Sequence, residues 1–253
     1  MKLLLANDDG INAEGLYALA EELQKEHELI ISAPDSQRSA SSHSITINRP
    51  LTVREVVLPG INCKAYSVDG TPADCVRIAL DKLVDGKVDM VISGINRGLN
   101  IGTDVLYSGT VSAAIEAAIY KVPSVAVSLE IERKNEDYKI AAKYASMVLN
   151  KIKENGIGEN TVLNINVPGV FEDEIKGIKV CKIGSRTYAN NFVPIAVDGN
   201  AITYSINDSV IEASHEDTDT YYIEDNYVTL TPLHYDFTNF NMLNDISKWF
   251  KEF

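Results

Sequence analysis

The first 167 residues alternate short apolar runs with helical patterns, and this alternation most constrains the fold. The apolar runs have the length of buried strands and end at polar residues or proline. The predicted strands are Lys2–Ala6, Glu28–Ala33, Ile45–Glu55, Cys63–Val68, Val88–Ser93, Val122–Leu129 and Val162–Val167. The predicted helices are Ala13–Gln24, Pro72–Leu83, Val111–Tyr120 and Asp137–Glu154. The pattern predicts an α/β fold with a mostly parallel sheet and helices on both faces.

The pattern changes after residue 175. Strand-like pieces follow, separated by long polar stretches, and a short helix closes the chain. These pieces are Ile178–Ile183, Ala201–Ile206, Tyr227–Thr231 and the helix Asn244–Phe253. The sequence therefore predicts an α/β domain over residues 1–175 and a β-rich C-terminal extension over residues 176–253.

The net charge of the chain limits the classes of partner that it can bind. It has 23 Lys and Arg against 36 Asp and Glu, a net charge of −13, and residues 194–253 alone contribute −9. This balance argues against a nucleic-acid polymer or an anionic membrane surface as partner. No apolar run approaches a membrane span, and no signal peptide is visible. Cys63, Cys75 and Cys181 lack metal-site spacing, so we expect reduced thiols and a cytoplasmic location.

Polar segments follow the predicted strands where a doubly wound sheet places its ligand crevice. They are Asn7-Asp8-Asp9-Gly10, the serine-rich Asp35–Ser44, Ser93–Asn100, and Ser108-Gly109-Thr110 at a helix start. We expect these four segments, which are distant in sequence, to converge on one edge of the sheet.

The Asp8-Asp9 pair is the sharpest chemical feature. Adjacent carboxylates at a strand end repel each other and lose solvation, and a divalent cation relieves both costs. Oxygen ligands suit Mg²⁺ or Mn²⁺, and a hydroxyl of the serine-rich segment and the Asn96 amide could complete the shell. The alternative is an ordinary turn beside a helix cap.

The other polar residues each carry two interpretations. Ser108-Gly109-Thr110 is typical of an anion cradle at a helix start, or of plain N-capping. Arg38 and Arg97 either pair with phosphate oxygens or are solvated. His43 among serines suggests a hydrolase, yet no Gly-x-Ser-x-Gly elbow accompanies it, so a supporting or phosphate-contacting role is favoured.

A metal on two carboxylates beside an anion cradle indicates phosphate-ester hydrolysis. The metal would polarise a phosphoryl oxygen, and one carboxylate would take the proton of the attacking water. The pattern is neither the Asp-x-Asp of aspartyl-phosphate phosphatases nor a Walker loop.

Several segments together resemble the SurE survival-protein nucleotidases, in order and over nearly the whole chain. They are Asn7–Gly10, Ala33–Thr46, Gly70–Val76, Ser93–Gly98, Tyr107–Ala114, Leu163–Pro168 and Thr231–Leu233. The resemblance implies a Rossmann-like catalytic domain and an extension that forms homodimers or homotetramers by exchange between subunits. It also implies a metal-dependent, acid-phosphatase-like enzyme that acts on nucleoside 5′- and 3′-monophosphates.

The same resemblance implies the roles of single residues. It assigns one divalent ion to Asp8, Asp9, Ser39 and Asn96. It assigns the phosphate-contacting turn to Ser108, Gly109 and Thr110, and it places Asn7 and His43 at active-site positions. Two other functions stay open: a phosphatase of short polyphosphate or other phosphomonoesters, and a nucleotide-binding regulator without turnover.

Overall fold

The structure is a computed structural model that describes residues 1–158, 160–189, 191–206, 209–213 and 215–250. The elements of its first half are β1 (Lys2–Ala6), α1 (Glu14–Leu23), β2 (Glu28–Pro34), β3 (Val53–Val56), β4 (Lys64–Val68), α2 (Pro72–Ile78), β5 (Met90–Arg97) and α3 (Gly109–Ile119). The elements of its second half are β6 (Ser124–Leu129), α4 (Tyr138–Asn155), β7 (Val162–Val167), β8 (Ile178–Val180), β9 (Ser185–Ala189), β10 (Phe192–Asp198), β11 (Ala201–Ile206), β12 (Ser209–Ala213), α5 (Asp219–Glu224), β13 (Val228–Leu233) and α6 (Phe240–Lys248).

A nine-stranded sheet in the order β3-β4-β2-β1-β5-β6-β7-β13-β8 organises the molecule. The six strands from β4 to β7 in that order run parallel, whereas β3 and β13 lie antiparallel to β4 and β7. The sequence-based prediction of a mostly parallel α/β sheet flanked by helices is confirmed. Parallel strands end at the same edge, so the polar segments after β1, β2 and β5 meet there.

The central strand shows why both faces are covered. In β1, Leu3 and Leu5 point to the side of α1 and α4, and Leu4 points to the side of α2 and α3; all three are fully buried. On the second side, Ala113 and Ala117 of α3 share a core cluster with Leu4. Small side chains let the start of α3 approach the end of β1 closely.

The start of α2 is fixed by a capping box. The Thr71 hydroxyl accepts the Asp74 N–H at 3.1 Å, the Asp74 carboxylate accepts the Thr71 N–H at 3.0 Å, and Pro72 occupies the first turn. The predicted N-cap is confirmed. The predicted helix to Leu83 is α-helical only as far as Ile78, and a π-helical turn spans Ala79–Leu83.

The predicted strand Ile45–Glu55 is wrong over most of its length, since only Val53–Val56 forms a strand. Alternating Ile and Thr suggested a strand face, yet Ile47 is 78% exposed. The segment instead bonds to α2, because the buried Asp74 carboxylate also accepts the Thr46 N–H at 3.1 Å.

The C-terminal part is richer in strands than predicted. The strands β10 and β11 form a hairpin, and β12 pairs with β9. By contrast, β8 and β13 join the central sheet, and the division at residue 175 stays a prediction. The closing helix α6 begins four residues earlier than predicted, and residues 251–253 lie outside the described residues.

Two further findings concern the cysteines and the possibility of a membrane span. Cys63, Cys75 and Cys181 are free thiols, as predicted. Within the described ranges, no helix is both long enough and apolar enough to cross a bilayer.

Candidate functional site

The four polar segments converge on one cleft of about 710 Å³ at the carboxyl edge of the sheet. Asp8 enters the cleft from the end of β1, and Ser39 enters from residues 35–44, here called the serine loop. Asn96 comes from the end of β5, and Ser108 lies just before α3. The structure therefore brings together residues that span a hundred positions of sequence.

Asp8 is buried at the bottom of this cleft. The Thr110 hydroxyl donates a hydrogen bond to its Oδ1 at 2.5 Å. Burial raises the pKa of Asp8 to about 6; the hydrogen bond from Thr110 opposes this rise, and the charge of Asp9 adds to it. A Cβ on Gly109 would lie 3.0 Å from Asp8 Oδ2, so the absence of a side chain there lets α3 begin against the carboxylate.

Asp9 is held in place by two donors. The Arg97 N–H donates to its Oδ2 at 2.9 Å, and the Gln37 side-chain amide donates to its Oδ1 at 3.2 Å. The same Gln37 amide donates to Ser39 Oγ at 2.9 Å, which ties the serine loop to the carboxylate pair. Burial raises the pKa of Asp9, although the bond from Arg97 opposes the rise.

Asn96 owes its position to an irregularity at the end of β5. The pairing of β5 with β6 slips between Ser93 and Asn96. Gly94 lies at this slip with φ +140°, and a Cβ there would overlap the Val127 carbonyl oxygen, so only glycine fits. The Asn96 amide nitrogen donates to the Gly98 carbonyl at 2.8 Å, which orients the amide oxygen away from that bond.

The structure confirms the N-capping interpretation of the start of α3, and the anion cradle stays a prediction. Ser108 Oγ accepts the Val111 N–H at 3.0 Å, which is ordinary N-capping, and Ser108 also lines the cleft. The Thr110 hydroxyl is committed to Asp8. Ser41, which the sequence analysis did not single out, places a buried Oγ without a partner in the described part of the chain 2.9 Å from a Cβ on Gly109.

The two predicted arginines differ in their contacts. Arg38 pairs with Asp35 at 3.1 Å, and its backbone N–H donates to the Asp8 carbonyl at 2.7 Å. Arg97 lines the cleft, contacts Asp9 through its backbone, and keeps a half-exposed side chain. The backbones of both residues thus hold the carboxylate pair.

Asn7 and His43 support the site from outside its lining. The buried Asn7 side chain bonds to both backbone groups of Gly10, at 2.9 and 3.2 Å, and so closes the turn that carries the two aspartates. His43 Nε2 lies 2.6 Å from Glu116 Oε2, and Arg77 Nε lies 3.4 Å from the other oxygen of Glu116. This contact joins the end of the serine loop to α3.

The donor set fits a hard divalent cation. The carboxylates of buried Asp8 and partly buried Asp9 both have raised pKa values. Asp8 lines the cleft together with the neutral oxygens of Ser39 and Asn96, and oxygen donors of this kind suit Mg²⁺ or Mn²⁺. Among the described residues, no group of three or more His, Cys, Asp or Glu could hold a metal. A metal site here therefore needs the neutral oxygens as well as the aspartates.

The far wall of the cleft comes from residues that sequence reasoning missed. Arg186 Nη1 lies 2.9 Å from Asp104 Oδ2, and the Tyr188 hydroxyl lies 2.6 and 2.7 Å from the two oxygens of Asp104. Both residues are on β9, more than 80 positions after Asp104. No motif marks them, because their proximity to the cleft arises only from the tertiary fold.

Comparisons with known proteins show which family the chain resembles. The family model described as survival protein SurE matches residues 3–190. The 5′-nucleotidase SurE of Clostridium botulinum (strain ATCC 19397 / Type A) is 57% identical over 99% of each chain. That of Clostridium tetani (strain Massachusetts / E88) is 50% identical over 99% of this chain and 100% of its own. The crystal structure of the SurE protein from Aquifex aeolicus has a TM-score of 0.86 and 37% identity, covering 99% of this chain and 100% of its own.

Proposed function

The chain belongs to the survival protein SurE family, and we propose that it is a nucleotidase that hydrolyses nucleoside 5′- and 3′-monophosphates to nucleoside and phosphate. The proposal includes dependence on one divalent ion, Mg²⁺ or Mn²⁺. The observation that carries it is the buried Asp8, next to Asp9, in a cleft that Ser39, Asn96 and Ser108 also line. The relatives are named 5′-nucleotidases; the 3′ activity rests on the resemblance of the motifs.

Four residues would hold the cation: Asp8, Asp9, Ser39 and Asn96. When bound, the cation withdraws charge from a phosphoryl oxygen and makes the phosphorus more open to attack. Thr110 fixes Asp8, and Gln37 links the carboxylate of Asp9 to the hydroxyl of Ser39. The protein therefore orients the donors before any ligand arrives, which lowers the reorganisation needed for catalysis.

The chain's own groups would handle the phosphate and the proton. The backbone at the start of α3 carries the positive end of the helix dipole, and Ser108 and Gly109 would receive the phosphoryl oxygens there. Water attacks phosphorus as the bond to the nucleoside oxygen breaks. A carboxylate, Asp8 or Asp9, would take the proton of the water and pass it to the departing nucleoside oxygen, so that the products are the nucleoside and phosphate.

Asn7 and His43 would support this reaction without touching the substrate. Asn7 keeps the turn after β1 closed, and His43 holds the serine loop against Glu116 of α3. The two contacts fix the distance between the carboxylates and the phosphate turn.

The test is phosphate release from a panel of nucleoside 5′- and 3′-monophosphates, with and without Mg²⁺ or Mn²⁺. We expect turnover only with metal, and no turnover by Asp8→Asn. The matched control is Asp81→Asn, because Asp81 is an exposed carboxylate on the π-helical turn. Full activity of Asp8→Asn would overturn the assignment.

The same panel separates the two remaining functions. Turnover of short polyphosphate or simple phosphomonoesters in preference to nucleotides would indicate the general phosphatase. Tight nucleotide binding without phosphate release would indicate the regulator.

We also propose that the C-terminal extension forms homodimers or homotetramers. The supporting observation is that every residue of the hairpin β10–β11 is exposed, including many apolar ones. The exposed apolar residues of the hairpin and of α6 are Phe192, Val193, Ile195, Val197, Ile202, Tyr204, Ile206, Phe240, Met242, Leu243 and Ile246. Light scattering coupled to gel filtration tests the proposal, and a monomer at micromolar concentration would overturn it. The three free thiols support the cytoplasmic location that completes the proposal.

A further inference from the structure

The cleft is larger than its phosphate end requires. Its volume of about 710 Å³ lies in the range of sites for whole small molecules, roughly 300–1,000 Å³. Asp8, Ser39 and Asn96 line part of it. Its lining also includes Tyr107, Arg186 and Tyr188, whose aromatic and guanidinium planes differ in chemistry from a phosphate site. These three residues have no role in the reaction described above.

Tyr107 combines a fixed backbone with an exposed ring. Its N–H donates to the Asp104 carbonyl at 2.9 Å, and its carbonyl accepts the Ser42 N–H at 3.0 Å. Its side chain is nevertheless 56% exposed and lines the cleft one residue before the phosphate turn. An aromatic ring held in this way is suited to stack on a planar group of a ligand.

The opposite wall is brought to the cleft by the extension. Asp104 receives both Arg186 and Tyr188, and the buried Asp219 accepts the backbone N–H groups of Gly102 at 3.0 Å and Gly184 at 2.7 Å. Asp219 therefore ties the turn before α3 to the start of β9. The wall is built into the fold, so it is available before a ligand binds.

We propose that Tyr107, Arg186 and Tyr188 form the subsite for the nucleoside, with Asp104 as the positioning residue. This inference rests on the proposed function and names how the site selects its substrate class. Stacking on rings and on a guanidinium plane recognises any base, because every base has an aromatic face. The subsite therefore favours phosphomonoesters that carry a base over those that do not, with little preference among bases.

The experiment compares kcat/KM for adenosine 5′-monophosphate with kcat/KM for ribose 5-phosphate, which has no base. We expect Tyr107→Leu to lower the ratio of the two by about tenfold to a hundredfold, the usual worth of one stacked base. Tyr107→Phe keeps the ring and is expected to restore the ratio. Tyr221→Leu, at an exposed tyrosine of α5, is the matched control.

The outcomes separate the inference from the proposed function. An unchanged ratio in Tyr107→Leu, or an equal loss for both substrates, overturns the subsite while the nucleotidase assignment stands. A wild-type protein that hydrolyses neither substrate overturns the assignment itself.

A second variant tests the role that the extension plays in the subsite. Asp104→Asn removes the charge that holds Arg186, and we expect the KM for adenosine 5′-monophosphate to rise severalfold while kcat is kept. A fall in kcat with unchanged KM would overturn the positioning role. Circular dichroism confirms that each variant is folded.

Discussion

The cleft edge buries a charged side chain, whereas the hairpin β10–β11 exposes apolar side chains. At the cleft edge, the charged carboxylate of Asp8 is buried. On the hairpin, apolar residues such as Ile195 and Val197 are 65% and 71% exposed. Each arrangement costs free energy in the isolated chain. The comparison gives each proposal its physical ground: a cation and a phosphate ester would relieve the cost at the cleft edge, and a second copy of the chain would cover the hairpin.

The largest expected effect comes from removing the proposed cation, or the carboxylate that would bind it, from the cleft edge. Chelation with EDTA, or the substitution Asp8→Asn, is expected to lower kcat/KM for nucleoside monophosphates by about a thousandfold or more, because charge stabilisation at phosphorus is lost. Steady-state phosphate release measures it, and added Mg²⁺ or Mn²⁺ should rescue only the chelated wild type. Rescue of Asp8→Asn by metal would contradict the role of this carboxylate.

A smaller effect is expected at the donor that orients Asp8. Thr110→Val removes the hydroxyl that bonds to Asp8 Oδ1, and we expect a loss of about tenfold to a hundredfold in kcat. Thr110→Ser keeps the hydroxyl and is the matched control. Equal activities of the Val and Ser variants would show that the hydrogen bond does not matter to the reaction.

The hairpin is expected to respond in assembly and not in folding. The double substitution Ile195→Asp and Val197→Asp adds two charges to an exposed apolar surface. We expect the mass in solution to fall to that of one chain, with a change in the unfolding free energy of the monomer within about 0.5 kcal/mol. Light scattering and urea denaturation measure the two quantities. An unchanged oligomer would place the interface elsewhere.

The smallest expected effect is on the free energy of unfolding, which the buried Asp8 carboxylate lowers when no metal is bound. Burial raises the pKa of Asp8 in the folded protein to about 6, above its ordinary value. The protonated Asp8 carboxyl therefore stabilises the folded state at low pH, and this contribution is lost as the pH rises through about 6. In EDTA at pH 7, we expect Asp8→Asn to be more stable than the wild type by on the order of 1–2 kcal/mol.

The pH dependence provides the control for this prediction. The advantage of Asp8→Asn should shrink as the pH falls toward 4, where the wild-type carboxyl is protonated as well. Urea denaturation at several pH values measures it. A constant difference across this range would assign the effect to packing instead of charge.

The sequence was sufficient to predict the structure of a segment where one local signal determines it. The buried runs predicted β1 and β7 to the residue, and the polar segments after the strands predicted the cleft edge. It failed where the same local pattern has two outcomes. The alternation of Ile45, Thr46 and Ile47 matches a strand, but the hydrogen bonds of Asp74 hold that segment as a loop.

The far wall of the cleft could not be predicted for a different reason. Arg186 and Tyr188 lie in a segment with the composition of a surface strand. Their side chains contact Asp104, which is more than 80 residues away and belongs to no motif. Only the packing of β9 against the turn before α3 brings the three side chains together.

The bridge made by Asp219 has a consequence for the order in which the molecule is completed. Its carboxylate binds the backbone of Gly102, 117 residues earlier in the chain. Every residue assigned to the cation and the phosphate has been synthesised by position 110, whereas this bridge requires residue 219. During synthesis, the wall of Arg186 and Tyr188 can therefore close on the cleft only after all the residues proposed to hold the cation and the phosphate have been made.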